Sequence, residues 1–480
     1  PPPRGAGRPD RLGAALLLAG LLIGPALAYL IVLDWRVALV AAALPLALPA
    51  AIVIHRHPLV AVLIWLVLNQ FLLTTEFLLP YRVAFWAFHR ALPPAALGII
   101  AIASMLGVSP RPLPRLGLPE LAMAGYLVAS LLSIVLLSES PLAMSYRLYD
   151  RVFVPMCLYL IARLTVATGR DIERLAAAAC LVCAAQVSVG ALAWALPGLL
   201  PDAWLTQRGQ RTIGSLVNTS TYTSALVFCA ALMFQVALSR RRGPLRALYL
   251  GMLGAAACFV FLSFSRASWL GGLLVLLGMY CLRPALMTRI GLIAAPLLAL
   301  ALSVGALSHH LDWARERLYS EQSVGSALDR LPALMAAVRM FEAKPAFGWG
   351  YQNFELYDRR FQERVLGLPN DNKDHANHNA YLTILAEQGA VGLLLYLTPP
   401  LALLARSAAA YRRLPAEGVW SRQLLALLWL VALHIFVQNS FTPAWVTYGL
   451  GLWWLTLGLI ASLVYWAEPG TQARPVRAAL

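Results

Sequence analysis

The sequence predicts an all-α fold: a polytopic transmembrane helical bundle of 12–14 spans, with one long extracytoplasmic loop that carries short interfacial helices. Three observations predict it. Of 480 residues, 60% are hydrophobic and only 12% charged, with a mean hydropathy of +0.70, which leaves too little polar surface to clothe soluble domains. Apolar runs of span length recur along the chain, separated by short segments rich in Arg, Pro and Gly. All six cysteines lie inside apolar runs, so no disulfide framework is implied, and the Cys180-x-x-Cys183 pair packs as small hydrophobes among alanines and valines. The formal charge of +16 comes from single cations scattered between apolar runs. They form no stripe, which excludes nucleic acid as a partner and points to topology signals and membrane lipids.

A helix crossing about 30 Å of hydrocarbon needs about 20 apolar residues. Division at charges and Pro/Gly clusters gives spans near 13–33, 37–54, 58–75, 91–108, 119–138, 152–168, 175–197, 221–239, 247–263, 268–282, 290–307, 388–405, 423–438 and 445–466. The runs at 268–282 and 423–438 are short, and 37–54 with 58–75 also reads as one broken element, hence 12–14. The first run follows PPPRGAGRPDRL without a small-residue cleavage site, and reads as a span and not a leader. Residues 1–307 then hold spans 1–11, residues 308–378 the outer loop, and residues 379–480 spans 12–14 with a cytoplasmic tail.

Basic residues are retained on the cytoplasmic side. With the N-terminus inside, the inner segments hold 21 Arg against 6 acidic residues and the outer segments 17 Arg or Lys against 16. Both termini are therefore expected in the cytoplasm, with the long loop outside. Within that loop Leu331, Leu334, Met335, Val338 and Phe341 recur at helical spacing, as for a helix lying at the interface, and Pro345 ends it. The AFGWGYQNF run that follows has glycines but no preceding strand and no complete G-x-G-x-x-G, so it does not read as a nucleotide site.

Outward polar residues at helix ends are the places for chemistry on an extracytoplasmic substrate. Arg266, in FLSFSRASW, sits between two apolar runs with no loop around it. A guanidinium there either snorkels to lipid phosphate or grips phosphate oxygens with its planar fork. Arg211, in QRTIGSLVNTSTY, offers the same pair of readings. His378 is either a solvated loop residue, a metal ligand with His375 and the nearby Asp371 and Asp374, or a general base taking a proton from a sugar hydroxyl. Arg147 and Arg151 share a helix face at the outer end of span 6 and either snorkel or extend a cationic funnel, whereas Arg163, toward the cytoplasmic end, is expected to snorkel inward.

His378-Asn379, nine residues, then Gly389 and Gly392 reproduce the H-N-x9-G-x-x-G signature, and the chain here resembles the bacterial O-antigen ligase and polymerase superfamily. Joined to it in family order are Arg211, Gly214 and Asn218, the Ser265-Arg266 turn, and Pro345, Gly348 and Gly350 of the outer loop. The resemblance covers about residues 205–405. It implies a GT-C-like bundle in the bacterial inner membrane, an active site facing the periplasm, and an inverting membrane glycosyltransferase that needs neither metal nor other cofactor. The donor it implies is an undecaprenyl-diphosphate-linked glycan, and the acceptor lipid A core or a second lipid-linked glycan. By the same resemblance Arg211 and Arg266 bind the donor diphosphate and His378 is the general base. Arg147, Arg151, Asn218 and Asn379 would support them, Asn379 by orienting the imidazole, and Gly389 and Gly392 would permit close helix packing. A lipid-linked oligosaccharide flippase or other multi-span transporter is the competing class. Cations clustered at the outer boundary favour transfer, and cations lining a central cavity from both sides favour transport.

Overall fold

The computed structural model describes residues 49–72, 83–108, 116–205, 211–240, 243–292, 330–362, 377–442 and 446–467. The chain divides into two compact units, 1–57 and 58–480. Of the first, only a short helix, Pro49–Arg56, is described. In the second the helices are α1 (Leu59–Leu72), α2 (Val83–Met105), α3 (Leu118–Leu137), α4 (141–165), α5 (Gly169–Ala195), α6 (Thr219–Ser239), α7 (Pro244–Phe261) and α8 (Arg266–Leu282). They continue as α9 (Leu331–Ala343), α10 (Phe354–Phe361), α11 (Ala380–Arg413), α12 (Arg422–Asn439) and α13 (Thr447–Trp466).

The described residues are helical and contain no β-strand. Eight of their helices are long and apolar enough to cross a membrane, or up to ten if each of two bent pairs counts as one span. The expected spans at 13–33, most of 37–54 and most of 290–307 lie outside the described residues. Several others begin earlier than their apolar runs. Span 4 starts at Val83 and passes through a π-helical turn, Trp86–Ala91, and span 6 is the end of a helix that starts at Pro141 and passes through another, Tyr149–Phe153.

α6 is apolar on every face, so it is the innermost helix: Thr221 through Ala237 are all buried, against α5, α7, α8, α12 and α13. α13 packs on α4, where a Cβ on Gly458 would stand 2.5 Å from the Tyr159 carbonyl oxygen, so only glycine permits the approach. One expectation fails there. Arg163 does not snorkel: it is 8% exposed and ion-paired with Glu120 of α3, whose carboxylate also accepts from Tyr159 Oη at 2.6 Å and Gly117 N at 2.8 Å. A partner within the bundle satisfies the charge more fully than a reach toward headgroups.

The outer-loop helices rest on α11, as their small size requires. α9 buries Pro332, Ala333, Ala336, Ala337 and Met340. Alanines let it approach α11 closely, which leaves Leu331, Leu334, Val338 and Phe341 half-buried at the rim and Met335 exposed. Met340 and Ala337 join Phe354, Ala386 and the Trp349 ring in a small core.

Gly389 corrects the packing role expected of it. It breaks α11 with φ +64°, and the PAFGWG segment of the loop lies in the break. Ala390 N and Val391 N donate to the carbonyls of Pro345 (2.8 Å) and Ala346 (3.2 Å), while Trp349 N and Gly350 N donate to those of Ala386 (3.1 Å) and Glu387 (2.7 Å). Two amides and two carbonyls at the break are thus answered by the loop. Gln388, beside the break, donates to Tyr126 Oη at 2.9 Å and accepts from Ser130 Oγ at 3.0 Å, which pins it to α3.

Gly389→Ala tests this interlock. Its Cβ would stand 2.3 Å from Ala346 O at a backbone conformation unfavourable to L side chains, so it should destabilise by at least about 1–3 kcal/mol. Gly251→Ala, with no neighbouring atom within 4 Å, should not lower the thermal midpoint of the purified protein, because alanine is the better residue in a helix interior.

Candidate functional site

α6, α8, α9 and α11 all begin around one cavity of about 720 Å³. Arg211, Asn218, Thr219, Ser220, Ser265, Arg266, Arg330, His378 and Asn379 line it, and Ser440, Phe441 and Thr442 after α12 close it. The sequence-predicted trio of Arg211, Arg266 and His378 therefore shares one cavity.

The two arginines stand on segments tied to each other. Arg211 leads a short extended stretch in which Thr212 N donates to Leu262 O at 3.2 Å, just before the turn that carries Arg266. Trp194 Nε1 holds the Thr212 hydroxyl at 2.9 Å. Gly214 follows with φ +58°, and a Cβ there would be 2.1 Å from Gln186 Oε1 and 2.6 Å from the Tyr222 ring, which explains the glycine of the Arg-x-x-Gly motif. Asn218 then caps α6, its Oδ1 accepting from Thr221 N at 3.0 Å. The second turn is made by Phe264, buried and at φ +47°, between Phe261 and Trp269. The Trp269 ring stacks on Phe261 and its Nε1 donates to Phe261 O at 2.9 Å, so the turn closes within five residues and leaves Arg266 as the first residue of α8. Val217 (φ +58°) and Phe264 are bulky residues in the left-handed region, one in each arginine-bearing segment.

His378 stands one residue before the cap of α11. Asn379 caps that helix, its Oδ1 accepting from Tyr381 N and Leu382 N, both at 3.0 Å, and Asn377 Oδ1 accepts from Asn379 N at 3.1 Å. The carboxamide oxygen of Asn379 thus serves the helix, and any effect on His378 comes through the backbone it fixes.

Arg330 is the residue that sequence reasoning missed. It stands at the N-terminal cap position of α9 and lines the cavity. Burial, and then the charge of Arg266, push its pKa down from the usual arginine range. A signal was present: Arg266 and Arg330 are cations at helix N-termini, where the macrodipole disfavours them. No acidic side chain is among the described residues lining the cavity. Three guanidiniums and four positive helix ends make a site for a polyanion.

Arg147 and Arg151 are not brought to this cavity. Arg147 Nη1 donates to Gln352 Oε1 at 3.1 Å, and Arg151 lies in the electrostatic reach of Tyr351 and Glu387. They face the part of the outer loop that leads into α10. His375, Asp371 and Asp374 lie outside the described residues. Among the described residues no group of three His, Cys, Asp or Glu is arranged to hold a metal ion.

Residues 251–397 match a family model described as O-antigen ligase, which supports the superfamily that the His-Asn and glycine signature resembles. It includes Arg266, Arg330 and His378, and Arg211 precedes it. No curated protein matches the chain.

Gathering like charges costs stability in the empty protein. Arg330→Gln should raise the thermal midpoint of the apo protein, by the equivalent of about 1 kcal/mol, and reduce the further rise produced by added pyrophosphate. A lower midpoint with an undiminished pyrophosphate effect would contradict this.

Proposed function

We propose that the cavity transfers a glycan from an undecaprenyl-diphosphate-linked donor to a hydroxyl of an acceptor glycan, with inversion at the anomeric carbon and without a metal ion. The observation that carries this reading is the convergence of Arg211, Arg266, Arg330 and His378 on one cavity. The acceptor oxygen attacks the anomeric carbon as the bond from that carbon to the diphosphate oxygen breaks. The electron pair leaves with the lipid diphosphate, and the acceptor proton passes to the His378 imidazole. Because the leaving group is already activated, the protein supplies two things only. Guanidinium forks and helix ends take up charge as it develops on the diphosphate, the task a divalent ion performs elsewhere. A base sharpens the acceptor.

The acceptor is lipid A core in the ligase form of this reaction and a second lipid-linked glycan in the polymerase form. Deletion in the native organism separates them: long chains left on the carrier lipid mark a ligase, and single repeats a polymerase. The charge bias of the inter-span segments supports a bacterial inner-membrane protein with both termini in the cytoplasm and the cavity on the periplasmic side. The placement of cations argues against a flippase or other transporter. The cavity arginines gather at helix starts at one end of the bundle, while Arg163, in the last turn of α4, is neutralised by Glu120 and lines no such path.

His378→Ala should lower the transfer rate of the purified protein by roughly 10²–10⁴, with donor binding nearly unchanged, and His375→Ala should do much less. Chelation by EDTA should leave transfer intact. An activity lost on chelation and restored by magnesium or zinc would make His375, His378, Asp371 and Asp374 ligands instead.

A further inference from the structure

Arg211 lies on an irregular segment, yet a side chain on the preceding helix fixes where that segment runs. Gln186 of α5 is fully buried in the apolar bundle. Its Nε2 donates to Gln70 Oε1 of α1 and to Ser215 Oγ, both at 2.7 Å, and its Oε1 accepts from Ser215 N at 3.2 Å. Ser215 Oγ in turn donates to Gln70 O at 2.9 Å, and Gln70 Nε2 donates to Val67 O at 2.8 Å. The carboxamide therefore reads both the backbone and the hydroxyl of Ser215, and every hydrogen-bonding group of this cluster has a partner. In an apolar surrounding such a network is costly to leave half made and specifies one arrangement. Only Ile213 and Gly214 separate Ser215 from Thr212, whose N donates to Leu262 O, and the absent Cβ of Gly214 is what lets Gln186 Oε1 come so close.

We infer that Gln186 is the positioning residue for Arg211: from inside the membrane bundle its carboxamide clamps Ser215, and so sets the Arg211 guanidinium at the donor diphosphate. The inference rests on the proposed role of Arg211. Gln186 itself does not line the cavity and touches no substrate. A carboxamide is required, because a carboxylate lacks both N–H donors and an alkyl chain lacks donor and acceptor alike.

Two readouts on the purified full-length protein test it. The first is amide hydrogen exchange. Gln186→Leu should speed exchange in 211–217 while α5 and the middle of α6 stay protected. Ser215→Ala, which opens the clamp from the other side without altering α5, should do the same. The second is a double-mutant cycle in the transfer assay. Gln186→Leu should raise the donor KM or lower turnover about 10-fold to 10²-fold, as a displaced positioning group does, and should add nothing in an Arg211→Ala background. Gln186→Glu should fail as Gln186→Leu does. Unchanged exchange at 211–217 in both variants overturns the clamp. Faster exchange with an equal loss in the Arg211→Ala background reduces Gln186 to a general structural residue and overturns the inference. Full activity of Arg211→Ala alone overturns the diphosphate reading and the link to function with it, an outcome that leaves the exchange result to judge the clamp separately.

Discussion

Positive charge is concentrated where the helix dipoles already concentrate it, and this constraint organises the rest of the structure. Arg266 opens α8, Arg330 stands at the start of α9, and Arg211 lies seven residues before the Asn218 cap of α6. Sequences selected only for stability place cations at the other end of helices. Arg330 carries the cost of this placement: burial first, and then the charge of Arg266, push its pKa down from the usual arginine range. Under the proposed reading a bound anion would set attractions against these like charges, as preorganisation for a charged leaving group requires.

Holding such a site open requires rigid supports, and each cationic segment has one of a different kind. The Arg211 stretch and the Arg266 turn share a backbone hydrogen bond from Thr212 to Leu262. An aromatic cluster of Phe261, Phe264 and Trp269 stiffens the turn. α9, with Arg330 at its head, packs on α11, and the PAFGWG segment that follows it is built into the break at Gly389. His378 stands one residue before the cap of that same helix. The described part of the outer loop is thus an extension of the membrane bundle, and Gly348 and Gly350 serve its backbone interlock.

The fold class was legible because hydropathy alone dictates helices in hydrocarbon, and the R-x-x-G, S-R and H-N elements were legible as motifs. What sequence could not reveal followed from three-dimensional neighbours. Arg163 reads as a snorkelling cation until Glu120 of α3 is placed beside it. Arg147 and Arg151 share a face toward the outside, but that face meets Gln352 and not the cavity. The two faces of α9 are both apolar, and close approach to α11 selects the smaller. Arg330 was hidden because a charge off an apolar face has a bland explanation, and only the convergence of four helix starts gives it another.

Whether the cavity is built for a diphosphate is tested most directly by titrating the purified protein with a short-chain polyprenyl diphosphate, the matching monophosphate and the matching alcohol at low and high salt. The diphosphate should bind at least about 10-fold more tightly than the monophosphate, as charge-assisted bidentate contacts require, and the alcohol most weakly, with the preference narrowing as salt rises. Equal affinity for all three, independent of salt, would contradict it.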